Sequence, residues 1–74
     1  MKKVETGSRV KVNFDDGSIE DFQIVYPSDA NILEGKVSNS SPIGKEILGK
    51  QQGKTISFLN SNQTRIKCKI VSVE

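Results

Sequence analysis

The chain has 74 residues, a hydrophobic fraction of 34%, no tryptophan, no histidine and one cysteine, and its 11 Lys and Arg against 9 Asp and Glu leave a net charge of +2. This is the size of one domain near the lower limit for folding without staples, with a small, mostly aliphatic core. The lone Cys68 excludes an intramolecular disulfide and fits a reducing, cytoplasmic setting; the lack of histidine argues against a zinc site; no apolar run or signal pattern points to a membrane; and the charge alone is too small to argue for nucleic acid.

Residues 1–7 read as a polar lead-in. From Ser8 to Phe14 the pattern alternates, with Val10, Val12 and Phe14 on one side and Arg9, Lys11 and Asn13 on the other, which predicts a half-buried strand. Asp15-Asp16-Gly17-Ser18 is a hairpin turn signal. The return strand runs from Ile19 to Tyr26, with Phe22, Ile24 and Tyr26 facing the core and Val25 opposite. Pro27 ends it and opens a loop to Gly35, rich in turn formers, in which Ile32 and Leu33 are expected to tuck back onto the body. A short strand surrounds Val37, from Lys36 to Ser38.

The stretch from Asn39 to Lys50 carries the one readable helix, expected from Ser41 to Leu48. Ser41 can cap it, Pro42 suits the first helical position, Ile43, Ile47 and Leu48 share a side, and Gly49 suits the left-handed position that ends it. Two turns are too few for an isolated helix, so a sheet must hold it. After a connector, Lys54 to Leu59 is a strand with Ile56 and Phe58 inward, Asn60 to Gln63 is a second hairpin turn, and Thr64 to Val73 is the longest strand, with Ile66, Cys68 and Ile70 inward. Beyond Ile70 the apolar parity switches to Val71 and Val73, which a bulge or an end-of-sheet twist would explain. The expected architecture is one α+β domain, residues 1–74: a twisted antiparallel sheet with the short helix on its concave face.

These residues carry a resemblance. The chain resembles the C-terminal domain of the bacterial transcript-cleavage factors GreA and GreB, which implies an FKBP-like fold. The likeness rests on Gly7-Ser8-Arg9-Val10, Ile24-Val25, Asp29-Ala30-Asn31, Ser38, Ser41-Pro42-Ile43, Leu48-Gly49-Lys50, Gly53 and the closing hairpin, and covers essentially the whole chain. Val25-Tyr26-Pro27 is also similar to a related branch, the regulator of nucleoside diphosphate kinase. Asn39 stands where the family commonly has Val, and Asn31 where it commonly has Asp. The family's N-terminal coiled coil, which enters the secondary channel of RNA polymerase and helps hold a metal ion with its acidic tip, has no counterpart in these residues. The resemblance therefore implies a docking module without that chemistry: a monomer that needs no cofactor, meets a coiled coil of the largest polymerase subunit at the channel rim, and touches nucleic acid only indirectly, although the family label includes DNA binding.

Asp29, Asn31, Ser41 and Pro42 are the residues the resemblance assigns to partner binding. Each also has a local reading: Ser41-Pro42 starts a helix, and Asp29 and Asn31 are turn formers. Asp15 and Asp16 read as turn residues, a poor prospect for a metal site. Cys68 reads as a core residue. Arg9 and Lys11 share the outer face of the first strand and Arg65, Lys67 and Lys69 that of the last; if the strands are neighbours, five cations form a patch, either a solvated sheet face or a basic nucleic-acid surface without aromatic residues to stack bases. Three functions follow: a polymerase-docking module, a peptidyl-prolyl isomerase suggested by fold analogy, and a basic nucleic-acid binder.

Overall fold

The computed structural model describes residues 2–74. Five strands and one α-helix follow in the order β1 (Arg9–Phe14), β2 (Ile19–Val25), β3 (Lys36–Ser38), α1 (Pro42–Ile47), β4 (Thr55–Leu59) and β5 (Arg65–Val73), with single 3-10 turns at Pro27–Asp29 and Ile32–Glu34. They form one curled sheet in the order β3-β2-β1-β5-β4. The two hairpins and the central β1–β5 pair are antiparallel, as expected. The sheet is nevertheless mixed, because β3 joins β2 in parallel, pairing Ile24 with Val37 and Val25 with Ser38. The chain between Tyr26 and Gly35 is long enough to travel back along β2 before β3 begins, so β3 enters in the same direction.

Alternation decides which side chains are buried. Val10 and Val12 of β1, Phe22 and Ile24 of β2, Ile56 of β4 and Cys68, Ile70 and Val73 of β5 form the core with Ile47 of α1. The parity switch near the C-terminus is a β-bulge: Val12 lies opposite Ile70 and Lys11 opposite Ser72, which leaves Val71 as the extra, solvent-exposed residue and returns Val73 to the core.

The helix starts and stops as its residues dictate. Ser41 Oγ accepts from the Gly44 N–H at 3.1 Å and donates to the Ser38 carbonyl at 2.7 Å. Leu48 leaves the helical conformation and Gly49 takes a φ of +79°. Ile47 is fully buried, while Ile43 and Leu48 pack at the core's margin.

Three further expectations are corrected. The lead-in is not merely polar: Val4 is buried, its N–H donating to the Lys50 carbonyl and its carbonyl accepting from the Gly49 N–H, both at 2.9 Å. Met1 lies outside the described residues. Tyr26 faces solvent, because the chain leaves the sheet at Val25 and Pro27 starts a 3-10 turn. Ile32 and Leu33 do not tuck in but are 78% and 94% exposed. They project because the backbones of Asn31 and Lys36 bond reciprocally at 2.9 Å, closing Ile32–Glu34 into an outward turn.

Candidate docking surface

Parallel pairing of β2 and β3 places the C-terminal ends of both strands at the same edge of the sheet. The Pro27–Asp29 turn leaves one end and Asn39–Pro42 the other, joined by the Asn39 N–H donating to the Val25 carbonyl at 2.7 Å. The serines between are tied locally: Ser38 and Ser40 hydroxyls lie 2.8 Å apart, and the Ser40 N–H donates to Ser38 Oγ at 3.0 Å. The Asn39 amide donates to Thr6 Oγ1 at 3.2 Å, anchoring the segment to the chain before β1.

The four residues assigned to partner binding differ in how free they are. Asp29 is exposed; its backbone N–H closes the turn onto the Tyr26 carbonyl at 2.9 Å. Asn31 spends its side chain internally, Oδ1 accepting from the Leu33 N–H at 3.1 Å. Ser41 is engaged on both sides by the cap described above. Pro42 is exposed and lines a groove with Lys45 and Glu46 of α1 and Ser57, Phe58 and Leu59 of β4.

Sequence reasoning missed a second, more apolar groove of about 330 Å³ on the concave side. Phe14, Phe22, Val37, Ile43 and Phe58 floor it, and the exposed Ile32 stands at its mouth. Phe58 borders both grooves, so they meet at that ring. The signal in the sequence was the pair Ile32-Leu33, two adjacent apolar residues in a loop otherwise made of turn formers.

The five cations do share one face, since β1 and β5 are neighbours. Arg9 is paired with Asp21 at 3.6 Å, and Arg65 donates to Ser57 Oγ at 2.9 Å. Lys69 stands opposite Asn13, Lys11 opposite Ser72 and Lys67 opposite Ser57. Both pairings at Arg9 and Arg65 are solvent-exposed and contribute little to stability. Cys68 offers no nucleophile: burial first, and the Asp15 charge second, push its thiol up to about 11. Asp16 is held below the usual carboxylate range by the Ser18 hydroxyl and N–H, as a turn residue should be.

The domain is a small curled mixed sheet of five strands with one short helix, with two exposed loops at one edge and an apolar groove on its core side. The family model described as "Transcription elongation factor, GreA/GreB, C-term" matches residues 1–74, and the chain belongs to that family. Among curated relatives, the transcription elongation factor GreA of Staphylococcus carnosus is 35% identical over 72 residues, covering 96% of this chain and 45% of the relative. That of Chloroflexus aggregans is 50% identical over 50 residues, covering 66% of this chain and 32% of the relative. The chain thus spans less than half the length of these relatives. Among solved structures, the GreA factor homolog 1 of Thermus thermophilus superposes with a TM-score of 0.85 at 28% identity, over 99% of this chain and 49% of that one. A GreA/GreB factor from Nitrosomonas europaea gives 0.76 at 27% identity, over 95% of this chain and 58% of that one.

Proposed function

We propose that these residues form an RNA polymerase-binding module of a transcription elongation factor. The module acts as a monomer in the cytoplasm and docks on the largest subunit's coiled coil at the secondary-channel rim. It performs no chemistry and stimulates no transcript cleavage by itself. The observation that carries this reading is the parallel β2–β3 pair, which delivers the Asp29 turn and the Ser41-Pro42 helix start to one edge. Ile32 and the groove bounded by Phe14, Phe22 and Phe58 add apolar surface suited to the side of a helix, running from Ile43 and Val37 toward the opposite, Glu20–Asp21 end of β2. The longest helix among the described residues is α1, six residues from Pro42 to Ile47, so none of them reaches into a channel as a coiled-coil arm. A domain of this size presents about 600–800 Å² to a partner, which sets a modest affinity.

The test is capture of purified bacterial RNA polymerase by the immobilised domain, with a backtracked elongation complex assayed in parallel. Binding without shortening of the transcript is expected. No binding, or cleavage stimulated by the domain alone, overturns the reading. A second reading, peptidyl-prolyl isomerase, is favoured by the same phenylalanine-lined groove of about 330 Å³. Catalysed isomerisation of an Xaa-Pro peptide, lost in Phe58→Ala, would establish it instead.

A further inference from the structure

We infer that the free edge of β4 is a docking site for an extended, acidic peptide segment of a partner protein, which adds a sixth strand to the sheet. This surface meets the edge that carries Asp29 and Pro42 only at Pro42, which lines the groove beside β4, and the proposal stands whether or not the polymerase reading does.

β4 closes one side of the sheet, with β5 as its only strand neighbour among the described residues. The Ile70 N–H donates to the Lys54 carbonyl at 2.8 Å and the Asn60 N–H to the Thr64 carbonyl at 3.0 Å. Antiparallel alternation between those two pairs turns the backbone groups of Ile56 and Phe58 toward β5 and those of Thr55, Ser57 and Leu59 outward. Among the described residues, no backbone hydrogen bond joins residues 55–59 to anything beyond the β5 ladder. Exposed edges are ordinarily blunted by lysine, proline, a bulge or shortness. The other edge, β3, has three residues and carries Lys36, whereas Thr55-Ile56-Ser57-Phe58-Leu59 has none of these devices within it, and α1, which packs against β4, leaves the groove open beside it.

A groove of about 460 Å³ runs beside this edge, with Ser57, Phe58 and Leu59 on one wall, Pro42, Lys45 and Glu46 of α1 on the other, and Arg65 beside them, so two cations and one carboxylate line it. Charge then selects the occupant. Residues 47–73 contain five of the 11 Lys and Arg and none of the 9 Asp and Glu, so that segment carries +5 and the other residues, with six cations and nine acids, carry −3. A second copy pairing edge to edge would bring two such +5 segments together. A nucleic acid has no alternating amide donors and acceptors to match Thr55, Ser57 and Leu59. An acidic chain in extended form has both. Its alternate side chains would fall on the two faces of the sheet: carboxylates on the face of Arg65 and Lys67, where Arg65 already reaches across β4 to Ser57 Oγ, and apolar residues on the face of Phe58, next to Pro42.

The test uses a fluorescein-labelled Glu-Val-Glu-Val-Glu-Val peptide, followed by anisotropy at low salt against the whole 74-residue chain. Saturable binding is expected, with a Lys-Val counterpart inert and Arg65→Glu weaker by about tenfold. Ser57→Pro removes one outward N–H and leaves the β5 ladder intact, and it too should lose about tenfold or more. A peptide N-methylated at alternate residues, on each register in turn, asks the same question without altering the protein; one register should fail to bind. The proposal is overturned if the Glu-Val peptide does not bind at millimolar concentration. It is equally overturned if both N-methylated registers bind like the parent, or if sedimentation shows a dimer abolished by Ser57→Pro.

Discussion

The Ser38 carbonyl oxygen occupies the space in which a side chain on Gly44 would have to begin. A β-carbon there would collide with that oxygen, and would also meet Ser41 Oγ at 2.9 Å and the Asn39 α-carbon at 3.1 Å. The strand β3 and the first turn of α1 can approach so closely because Gly44 has no side chain. Alanine normally favours a helix over glycine by about 1 kcal/mol. Here the obstacle is backbone, which has no rotamer to yield, so the sign reverses. Gly44→Ala is expected to destabilise the domain by about 2–3 kcal/mol, lowering the melting temperature by roughly 10 °C or more. A thermal melt by circular dichroism checks it.

The two hairpins use the same turn with one difference. In the first, the Phe14 N–H donates to the Ser18 carbonyl at 2.8 Å and the Gly17 N–H to the Phe14 carbonyl at 2.9 Å; in the second, the Asn60 N–H donates to Thr64 and the Gln63 N–H to Asn60, both at 3.0 Å. The last loop residue is left-handed in each, Gly17 at φ +90° and Gln63 at φ +64°. Only glycine adopts that conformation without a steric penalty. Gln63→Gly should therefore stabilise the domain by about 0.5–1 kcal/mol, less than the full penalty because glycine also frees the unfolded chain. Urea denaturation of the variant beside the parent reads this directly.

Elements whose logic is local were legible in the sequence. The helix start at Ser41-Pro42, the stop at Gly49, both hairpin turns and the bulge after Ile70 are all where residue type and parity put them. What the sequence hid depends on distant partners. Val4 is buried because Gly49 and Lys50 come back to pair with it, which no pattern in residues 1–7 encodes. Ile32 and Leu33 look like core residues by composition, and the Asn31–Lys36 closure turns them outward. The sequence suggested one surface at the edge loops; it did not suggest the apolar groove, since Phe14, Phe22 and Phe58 each read as plain core positions on three separate strands.

Cys68 ties stability to alkaline pH. Its side chain is 1% exposed, and burial with the nearby Asp15 charge raises the thiol from 9.0 to about 11. Below 9 the thiol is protonated in both folded and unfolded chains, so its contribution is fully present. Between 9 and 11 the unfolded chain loses its proton first, and the folded state loses stability as pH rises. The urea midpoint of the parent should fall more steeply across that window than that of Cys68→Ala, in which the titration is gone. Iodoacetamide at pH 8 should modify the folded parent slowly and the urea-unfolded chain fast.

Docking is best tested by residues whose loss does not disturb the fold. Asp29 is exposed on a 3-10 turn, and Pro42 sits at the first helical position, where a backbone N–H would have no partner in any case. Asp29→Ala and Pro42→Ala should therefore melt close to the parent. If the edge at the ends of β2 and β3 meets the polymerase, each should weaken binding by about tenfold or more, the usual cost of truncating a central contact, about 1–3 kcal/mol. Asn31→Ala is the contrasting case: its side chain caps the Ile32–Glu34 turn, so its effect on binding should be accompanied by loosening of that turn in amide exchange. Charge reversal at Lys67 and Lys69, on the outer face of β5, should leave polymerase binding within a few-fold of the parent. If instead Asp29→Ala and Pro42→Ala bind like the parent while the lysine reversals abolish binding, the polymerase meets the basic sheet face. Salt-dependent binding of bare DNA, lost in the same lysine variants, would then identify that face as a nucleic-acid surface, because neutralised phosphates release counterions and a protein contact need not.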